Sequence, residues 1–596
     1  MYRFFIERPI VSIVIAAIMV IVGAVAVLGL PTAQFPSIAD PQIQVLATYV
    51  GADALTVEQA VATPIEQQMS GVDNMEYMYS LNANNGQTTL TVDFNVATDS
   101  STDQILTQMR QSQAASQLPP DVNNYGVTVQ KSTQTPMMLF DLYSPNGSYD
   151  SKFLANYVYI NLKDGLTQVP GIASVSVFGA GQYAMRIWVK PDQLAKLQIT
   201  VPDIISAVKQ QNNVNPAGQI GGEPVPKGQE FTYAVRAQGR LISAEEFGEI
   251  VVRAQSDGSV VRLKDVARIE LGAQVYNLVG RLDGKPSAVI AVYQLPGSNA
   301  VAAGKGTIAY MEEQKKRFPP GLDYITALDT TLPVTEGIKE IEHTLFEAIL
   351  LVILVVYIFL QGWRATLIPL LAVPVSLIGT FMIFPLLGFS VNTLSLFGLV
   401  LAIGLVVDDA IVVVEAVEHH IEHGLAPKEA AIKAMDEVAA PVIGIAVILS
   451  AVFIPTAFIP GITGRLYQQF AVTIAVSVIF SAFNALTLSP ALSALLLRPK
   501  KEARGPLGKF FAWFNRVFTS ATNHYVNWCR FFIHKLSFMV LLLLVFTVLA
   551  GLAGSKLPVA FLPDEDQGYL FINQQLPDAS SLQLSLIHIS EPTRPY

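Results

Sequence analysis

This chain has one cysteine, few charged residues and no excess of basic residues. Each of these properties excludes a class of protein. Cys529 is the single cysteine, so a disulfide within the chain and a site built from several thiolates are both excluded. Only 14% of the 596 residues are charged against 51% that are hydrophobic, which is too apolar for an ordinary soluble protein. The net charge of −9 is spread over the polar segments, so no basic patch favours a nucleic acid as partner. The composition therefore indicates an integral membrane protein.

Long apolar runs are what the chain has in abundance. A bilayer core of roughly 30 Å requires about 20 apolar residues in a helix. Seven stretches approach this length, at residues 10–30, 344–360, 365–387, 394–414, 438–458, 470–497 and 536–554. No small-residue cleavage site follows the first stretch, so we interpret it as a retained membrane helix rather than a removed signal peptide.

Basic residues orient these predicted helices. Arg3 and Arg8 precede the first, Arg364 lies between the second and third, and eight lysines and arginines follow the sixth against one acid, Glu502. By the positive-inside rule these segments are cytoplasmic, and the stretch from Pro31 to about residue 342 lies on the opposite side, which is the periplasm in a two-membrane bacterium.

The long stretch after the first helix alternates strand-like and helix-like patterns. Residues 42–130 have the order β-α-β-β-α-β of a ferredoxin-like split unit, and a second such run starts at Met137. The Gly/Pro-rich segment AGQIGGEPVPKGQ, residues 217–229, lies between a helix and a strand and is long enough to project from the body. A mobile surface loop and an arm that clasps a partner are both open interpretations.

Two features near the C-terminus bear on the extent of the chain. LPTAQFP at 30–36 and LPVAFLP at 557–563 share Leu, Pro, Ala and Pro at identical offsets after a membrane helix, which suggests a repeat whose second copy begins at 557. The sequence LSLIHISEPTR resembles a translated sequencing adapter, so we expect residues 584–596 to be an artefact of assembly.

Asp408 and Asp409 lie in the middle of the fourth apolar run, GLVLAIGLVVDDAIVVVEAV. An acid at the bilayer centre costs at least ~2.5 kcal/mol, so a tandem pair implies a function or a compensating partner. Burial and like charge both favour the protonated carboxyl group, and one proton crossing 100 mV releases about 2.3 kcal/mol. We interpret the pair as a proton relay, with Glu415, two turns further along the same face, as a candidate proton exit. A structural pair held by a basic partner is the alternative.

Other conspicuous positions fit structural roles better. Glu347 lies at the predicted aqueous boundary, and Asn484 suits a hydrogen bond between helices. The sequence VAAGKGT lacks the first glycine of a phosphate loop, because Asn299 takes its place. Adjacent acids on one helix diverge by about 100°, so they cannot alone form an aspartyl protease dyad. Met137 and Met138 point to opposite sides of a strand, which favours packing over a soft-metal site. We expect no metal and no cofactor other than the proton as coupling ion.

Together these features resemble the resistance-nodulation-division (RND) transporters, most closely their hydrophobe/amphiphile efflux branch. Among the matching sequences are FFIERPI, FGAGQYAMRIWV, RATLIPLLAVPVSLIGTF, NTLSLFGLVLAIGLVVDDAIVVVE and FLPDEDQG, and the resemblance runs from Phe4 to Gln583. It implies the RND transporter fold: a polytopic α-helical inner-membrane protein with a large α+β periplasmic domain built of ferredoxin-like subdomains. It also implies a homotrimeric proton/drug antiporter that exports amphiphilic small molecules and is joined by a periplasmic adaptor and an outer-membrane channel.

The resemblance implies a domain plan in chain order. Its parts are the N-terminus and first membrane helix (1–30), porter subdomains (31–184), a docking subdomain with a protruding arm (185–272), a return to the porter (273–342), the second to sixth membrane helices (343–498), a cytoplasmic amphipathic helix (499–535), the seventh membrane helix (536–556) and the start of a second periplasmic domain (557–583). The family's second half, with the lysine of the relay, would follow. We therefore expect a chain truncated after the seventh membrane helix and inactive alone.

The resemblance also assigns site residues. Asp408 and Asp409 match the proton-relay acids of the family. In the drug pocket, Phe178 matches a phenylalanine of an aromatic trap, with Ser176 and Leu139 on adjoining strands. Leu328 replaces a tyrosine, and Pro136 stands where a phenylalanine is found, so this pocket is expected to be less aromatic. An RND exporter of metal or lipid, and a membrane scaffold with inert acids, remain the alternatives.

Overall fold

A computed structural model describes residues 2–584 apart from 34, 37–39, 97, 133–134, 215, 238, 255–257, 275, 277, 460, 500–505, 558–565 and 578–579. Three predictions fall outside the described residues: most of the basic run around 500–505, the second copy of the repeat after Leu557, and the adapter-like segment after Leu584. The chain forms two compact units. The first comprises Met1–Thr133, Gln294–Gly304 and Thr330–Phe571, and the second comprises Gln134–Tyr293, Lys305–Asp329 and Ile572–Tyr596.

The first unit begins with helices α1 (Tyr2–Glu7) and α2 (Pro9–Gly29). Pro9 starts α2, where its missing N–H would have no helical partner. Beyond α2 the chain turns into an extended segment, and Thr32 forms a parallel bridge with Val391. This bridge ties the end of the first membrane helix to a second part of the same unit.

A four-stranded antiparallel sheet follows in the first unit. In chain order its elements are β1 (Gln42–Thr48), α3 (Ala54–Val57), α4 (Thr63–Met69), β2 (Met75–Asn82), β3 (Gln87–Phe94), α5 (Ser100–Ala114), α6 (Pro120–Tyr125) and β4 (Thr128–Ser132). A π-helical turn, Glu58–Ala62, joins α3 to α4. The strand order is β2-β3-β1-β4. Alternate residues of β1, namely Ile43, Val45 and Ala47, are buried in a core shared with the helices, which the period-2 pattern of a half-covered strand requires.

The second unit is built mainly from strands and short helices. The elements of residues 138–329 are β5 (Met138–Tyr143), α7 (Ser151–Tyr157), α8 (Lys163–Thr167), β6 (Ile172–Phe178), β7 (Tyr183–Val189), α9 (Pro191–Leu197), α10 (Val201–Gln211), β8 (Gln219–Ile220), β9 (Tyr233–Ala234), α11 (Ala244–Gly248), β10 (Val251–Ala254), β11 (Val260–Arg262), α12 (Leu263–Val266), β12 (Ala267–Ala273), β13 (Gly280–Leu282), β14 (Lys285–Gln294), α13 (Ala300–Lys315) and β15 (Asp323–Asp329). Five strands form one sheet in the order β13-β14-β5-β15, with β6 also paired to β14.

Two smaller features of this unit fall in the predicted docking region. Strands β7 and β12 pair along seven residues each and pack on a core that includes Leu263 and Val266. The Gly/Pro-rich segment forms one side of a short hairpin, in which Gln219 pairs with Ala234 and Ile220 with Tyr233. Most side chains of the hairpin are exposed, including Ile220 and Tyr233 at above 60% each. A segment so little packed on its own unit presents its surface outward.

The remaining helices of the first unit are the longest. They are α14 (Thr331–Leu360), α15 (Trp363–Thr380), α16 (Phe384–Leu387), α17 (Thr393–Glu422), α18 (Pro427–Phe453), α19 (Gly461–Leu496), α20 (Pro506–His534) and α21 (Leu536–Gly554). Within the described residues, seven helical segments are long and apolar enough to cross a bilayer, and each coincides with one of the seven predicted stretches. Several extend beyond the apolar run, because polar turns such as Thr331–Thr344 continue the helix past the hydrocarbon.

Helix α19 lies at the centre of this bundle. It packs against α15, α17 and α18, and residues such as Ile474 and Val478 share a core with Val413 and Val417 of α17. By contrast α21 buries none of its side chains. Helix α20 contacts α14 through aromatic pairs, among them Tyr357 with Phe511. The bundle therefore places α17, which carries both predicted relay acids, against the most buried of the seven candidate membrane helices.

Candidate functional site

Helix α17 presents its two adjacent acids to different surroundings. Its first turn is fixed by Asn392, whose side chain accepts a hydrogen bond from the Ser395 N–H while the Ser395 hydroxyl accepts one from the Asn392 N–H. Because successive helical residues diverge by about 100°, neighbours cannot share one face. Asp409 is 3% exposed and faces α19, whereas Asp408 is exposed. The helix geometry alone therefore separates the acids.

Asp409 is held by one side chain of α19. The Ser481 hydroxyl lies 2.7 Å from Asp409 Oδ2 and 3.0 Å from the carbonyl oxygen of Val406. The single hydroxyl proton is thus shared between a carboxylate and a backbone acceptor one turn earlier on α17. This arrangement offers the buried acid one donor that has an alternative acceptor within reach.

A ladder of small polar side chains continues along the α15–α19 interface. Asn484 Nδ2 donates to Ser376 Oγ at 2.9 Å, which is the hydrogen bond between helices that its position predicted. Further along the interface, Thr380 Oγ1 and Ser477 Oγ lie 2.9 Å apart. Thr473, Ser477 and Ser481 recur every four residues on α19, a spacing visible in the sequence that would have identified this polar face. Ser481 was not predicted from the sequence, because a single serine in an apolar helix does not by itself indicate which helix it faces.

Asp408 and Glu415 belong to an exposed stripe of α17 that we define by Phe397, Leu401, Gly404, Asp408 and Glu415. These residues recur at intervals of three, four and seven, so they occupy one helical face. Neither carboxylate forms a hydrogen bond or an ion pair with any described residue. The stripe is apolar at one end and acidic toward the other.

Two other predicted positions lie apart from the acid pair. Glu347 is exposed, and its Oε1 lies 3.4 Å from His343 Nδ1 one turn earlier on α14. At the C-terminal end of α17, the buried His420 places Nε2 at 3.2 Å from Glu437 Oε2 of α18. This contact joins α17 to α18 beyond Glu415. Over the described ranges, no group of three or more His, Cys, Asp or Glu side chains is arranged to hold a metal.

The four predicted pocket residues all lie on the five-stranded sheet of the second unit. Leu139 of β5 stands directly opposite Leu328 of β15. Ser176 and Phe178 lie on β6, which pairs with β14; Phe178 is 40% exposed while Val177 between them is buried. The structure thus pairs Leu139 with Leu328 and places Ser176 and Phe178 on another strand of the same sheet.

Asp141 is a residue of this sheet that sequence reasoning did not single out. It lies two residues after Leu139, hence on the same face of β5, and is 6% exposed. Its Oδ1 accepts a hydrogen bond of 2.8 Å from the buried Ser287 hydroxyl of β14. Burial raises the pKa of the Asp141 carboxyl group above its ordinary value, and the Ser287 hydrogen bond opposes that shift.

Comparison with known proteins gives one family over nearly the whole chain. The family model described as "AcrB/AcrD/AcrF family" matches residues 1–590. The multidrug export protein AcrF of Escherichia coli K12 is 45% identical over 579 residues, which is 97% of this chain and 56% of that protein. The multidrug resistance protein MdtF of E. coli K12 is 43% identical over 584 residues, 98% of this chain and 56% of MdtF.

A third relative comes from another genus. The toluene efflux pump membrane transporter TtgB of Pseudomonas putida is 41% identical over 595 residues, which is 99% of this chain and 56% of TtgB. The chain therefore spans little more than half the length of these relatives.

Proposed function

The chain belongs to the AcrB/AcrD/AcrF family of RND transporters, and on that premise we propose that it carries the proton-relay half of a drug/proton antiporter. It is a multi-pass inner-membrane protein of a transporter family rather than an enzyme. The names of its relatives concern multidrug and solvent efflux. We extend that activity to the gene product of which this chain is at least a part.

One observation carries the proposal: a buried carboxylate on a membrane helix whose only described donor has a second acceptor. With Asp409 ionised, the Ser481 hydroxyl donates to the carboxylate at 2.7 Å. With Asp409 protonated, its own O–H donates to Ser481 Oγ, and the hydroxyl proton turns to the Val406 carbonyl oxygen at 3.0 Å. The carboxyl group therefore has a hydrogen bond in both protonation states. A buried acid can then bind and release a proton without leaving a polar group unsatisfied.

Asp408 supplies the second half of the relay. An exposed carboxylate in the middle of a membrane helix would face lipid at a cost of at least about 2.5 kcal/mol. We therefore propose that a membrane segment with a basic side chain covers the exposed stripe of α17. When the acids are ionised the cation is attracted to the stripe, and when a proton neutralises one acid that attraction weakens. Proton loading thus changes how tightly the covering segment is held.

Two hydrogen bonds within the first unit connect the start of α17 to the segment that follows α2. The Val391 N–H, just before α17, donates to the Pro31 carbonyl oxygen at 2.9 Å, and the Ala33 N–H donates to the Val391 carbonyl oxygen at 3.1 Å. Pro31 and Ala33 belong to the segment that connects α2 to strand β1. We propose that a shift of α17 moves this segment and, through it, the sheet that follows.

The remaining parts of the function rest on the family premise. We propose amphiphilic compounds as substrates, with Leu139, Leu328, Ser176 and Phe178 in the substrate pocket. The β2-β3-β1-β4 order supports a ferredoxin-like porter subdomain. The exposed β8–β9 hairpin supports an arm that reaches a neighbouring protomer in a homotrimer, completed by a periplasmic adaptor and an outer-membrane channel. The predicted domain plan is retained on the same grounds, and export of a metal or lipid stays the alternative.

Drug-driven proton movement in the whole gene product tests the proposal. In inverted vesicles we expect Asp409→Asn to abolish proton flux on addition of an amphiphilic drug, and Ser481→Ala to lower it about tenfold, the effect of losing one hydrogen bond to a charged group. Ser489→Ala is the matched control, because Ser489 Oγ of the same helix is buried without a partner among described residues. Flux that survives Asp409→Asn, with the protein present at wild-type level, would exclude Asp409 from the relay, and absence of drug-driven flux in the unmodified protein would indicate a scaffold with inert acids.

A further inference from the structure

A buried histidine connects the C-terminal end of α17 to α18 within the first unit. His420 lies in the last turn of α17 and is 7% exposed, and its Nε2 lies 3.2 Å from Oε2 of Glu437 on α18. Glu437 itself is exposed. The contact thus joins a buried titratable group to a carboxylate that meets solvent. The basic residues of the sequence predict that this end of α17 faces the cytoplasm.

The residue before Glu437 holds a third helix. Asp436 accepts a hydrogen bond from the Tyr2 hydroxyl and forms an ion pair of 3.2 Å with the Arg3 guanidinium. Because successive residues of a helix diverge by about 100°, Asp436 and Glu437 contact different neighbours. Helix α1 also shares the hydrophobic core of α17 and α18 through Ile6. The turn of α18 that contacts α17 is therefore itself fixed to α1.

The contact between His420 and Glu437 has two forms, because histidine changes its charge between about pH 5 and 8. With a neutral imidazole it is a single hydrogen bond to the carboxylate, and with a protonated imidazole it is an ion pair. The positive charge also interacts favourably with the last carbonyl groups of α17, where the helix dipole is negative. Protonation of His420 therefore strengthens the connection between α17 and α18.

Other groups at this end of the bundle also carry charge. The titratable or charged side chains of α1, and those within two turns of the contact on α17 and α18, are Tyr2, Arg3, Glu7, Glu415, Glu418, His419, Glu422, His423, Lys433 and Asp436. Of the other helices that pack against α17, α15 carries Arg364 in its first turn, α14 has no charged residue after Glu347, and α19 has none after Arg465. Substitutions at His420 and Glu437 separate the effect of this contact from that of the other groups.

We propose that His420 is a positioning residue of the transport cycle, which ties the cytoplasmic end of α17 to α18 more tightly when the cytoplasm becomes acidic. This inference rests on the proposed function, in which α17 shifts as Asp409 binds and releases a proton. A shift that separates His420 from Glu437 is less favourable when the contact is an ion pair, so protonation of His420 favours the unshifted helix. A proton/drug antiporter delivers protons to the cytoplasm, and His420 slows it when protons accumulate there.

Transport by the whole gene product in inverted vesicles tests this role, because the cytoplasmic end of α17 then faces the bath. Ethidium serves as the transported amphiphile, and the inner and outer pH are lowered together from 8 to 6 so that the pH gradient stays constant. We expect the initial rate of the wild type to fall about threefold more than that of His420→Gln, the effect of an ion pair with one exposed partner. Glu437→Gln should reproduce the profile of His420→Gln. His423→Gln, a change at an exposed histidine just after α17, should keep the wild-type profile.

A His420→Gln rate that falls with pH as steeply as that of the wild type overturns the proposal. A double-mutant cycle of His420→Gln and Glu437→Gln, measured by thermal unfolding of the purified full chain in detergent, gives a second readout that does not require transport. The coupling between the two side chains, expressed as an equilibrium constant, should be about threefold larger at pH 6 than at pH 8. Equal coupling at both pH values also overturns the proposal. Absence of ethidium transport by the wild type at both pH values would instead contradict the proposed function, and the cycle would still decide whether acid strengthens the contact.

Discussion

At the scale of single residues, the adjacent acids of α17 show how position on a helix decides chemistry. Asp409 has a donor from α19 and is buried, whereas Asp408, one residue earlier, has no described partner and is exposed. The proposed relay needs one site that holds a proton in a defined geometry and another that responds to a distant charge. Two adjacent residues can meet both needs, because about 100° of helical rotation places them in different environments.

Asp141 allows a test by pH at the same scale. Burial raises the pKa of its carboxyl group in the folded state above the unfolded value. The folded state therefore binds the proton more tightly, so the free energy of unfolding falls as pH rises from the unfolded pKa through the folded one. Asp141→Asn removes this loss while it keeps an acceptor for Ser287. We expect the variant to gain thermal stability over the wild type at pH 8 relative to pH 4, as measured by melting in detergent.

Other titrating groups are common to both proteins, so they cancel in the difference between variant and wild type. A difference in melting temperature that is the same at both pH values would show that Asp141 titrates normally in the folded chain. Ser287→Ala provides the second comparison. It removes the one hydrogen bond that this carboxylate accepts from a described side chain, and it should deepen the loss of stability at high pH.

The sequence predicted that two acids lie in a membrane helix, but it did not predict that Asp409 is buried and Asp408 exposed. Hydropathy places Asp408 and Asp409 in a membrane helix, and helix geometry requires that they diverge. Which of the two is buried depends on where α19 packs, and no local pattern contains that information. Asp141 escaped notice for a related reason: an isolated acid in a strand resembles a solvent-facing residue until the pairing with β14 brings Ser287 beside it.

At the scale of elements, a substitution in the exposed stripe of α17 can test whether another membrane segment covers it. Gly404 lies in its middle, and a Cβ added there meets nothing within 4 Å. We expect Gly404→Ala to stabilise this chain by roughly 0.5–1 kcal/mol, because alanine loses less backbone entropy than glycine in a helix. In the whole gene product the same methyl group should obstruct the proposed covering segment and reduce efflux. Melting of the chain and drug resistance of cells measure the two effects.

Gly398 is the matched control for this substitution. It lies six residues earlier on α17 but faces α19, and an added Cβ would stand 3.1 Å from the Phe470 carbonyl oxygen. Gly398→Ala should therefore destabilise the chain itself. If Gly404→Ala stabilises the chain and leaves efflux untouched, nothing packs closely against the stripe, and the proposed cation must reach Asp408 by another route.

At the scale of the whole molecule, the sequence predicted the membrane helices better than it predicted which elements pack or pair with one another. The seven apolar stretches all became helices, because length and hydropathy are local properties. The order of strands in each sheet and the return of residues 294–304 to the first unit depend on contacts between distant parts of the chain. The bridge between Thr32 and Val391 joins residues more than 350 positions apart, and no motif in either segment predicted it.

That bridge yields the prediction that spans the molecule. If it transmits the motion of α17, Val391→Pro should lower efflux by the whole gene product at least tenfold, since proline removes the N–H that donates to Pro31. Val391→Ile keeps the N–H and should preserve efflux, and Ala33→Pro, which removes the reciprocal donor, should repeat the loss. Proton binding at Asp409 should persist in all three, since Asp409 lies several turns further along α17. Normal efflux in both proline variants would mean that the proposed relay acts on the β2-β3-β1-β4 sheet through other contacts.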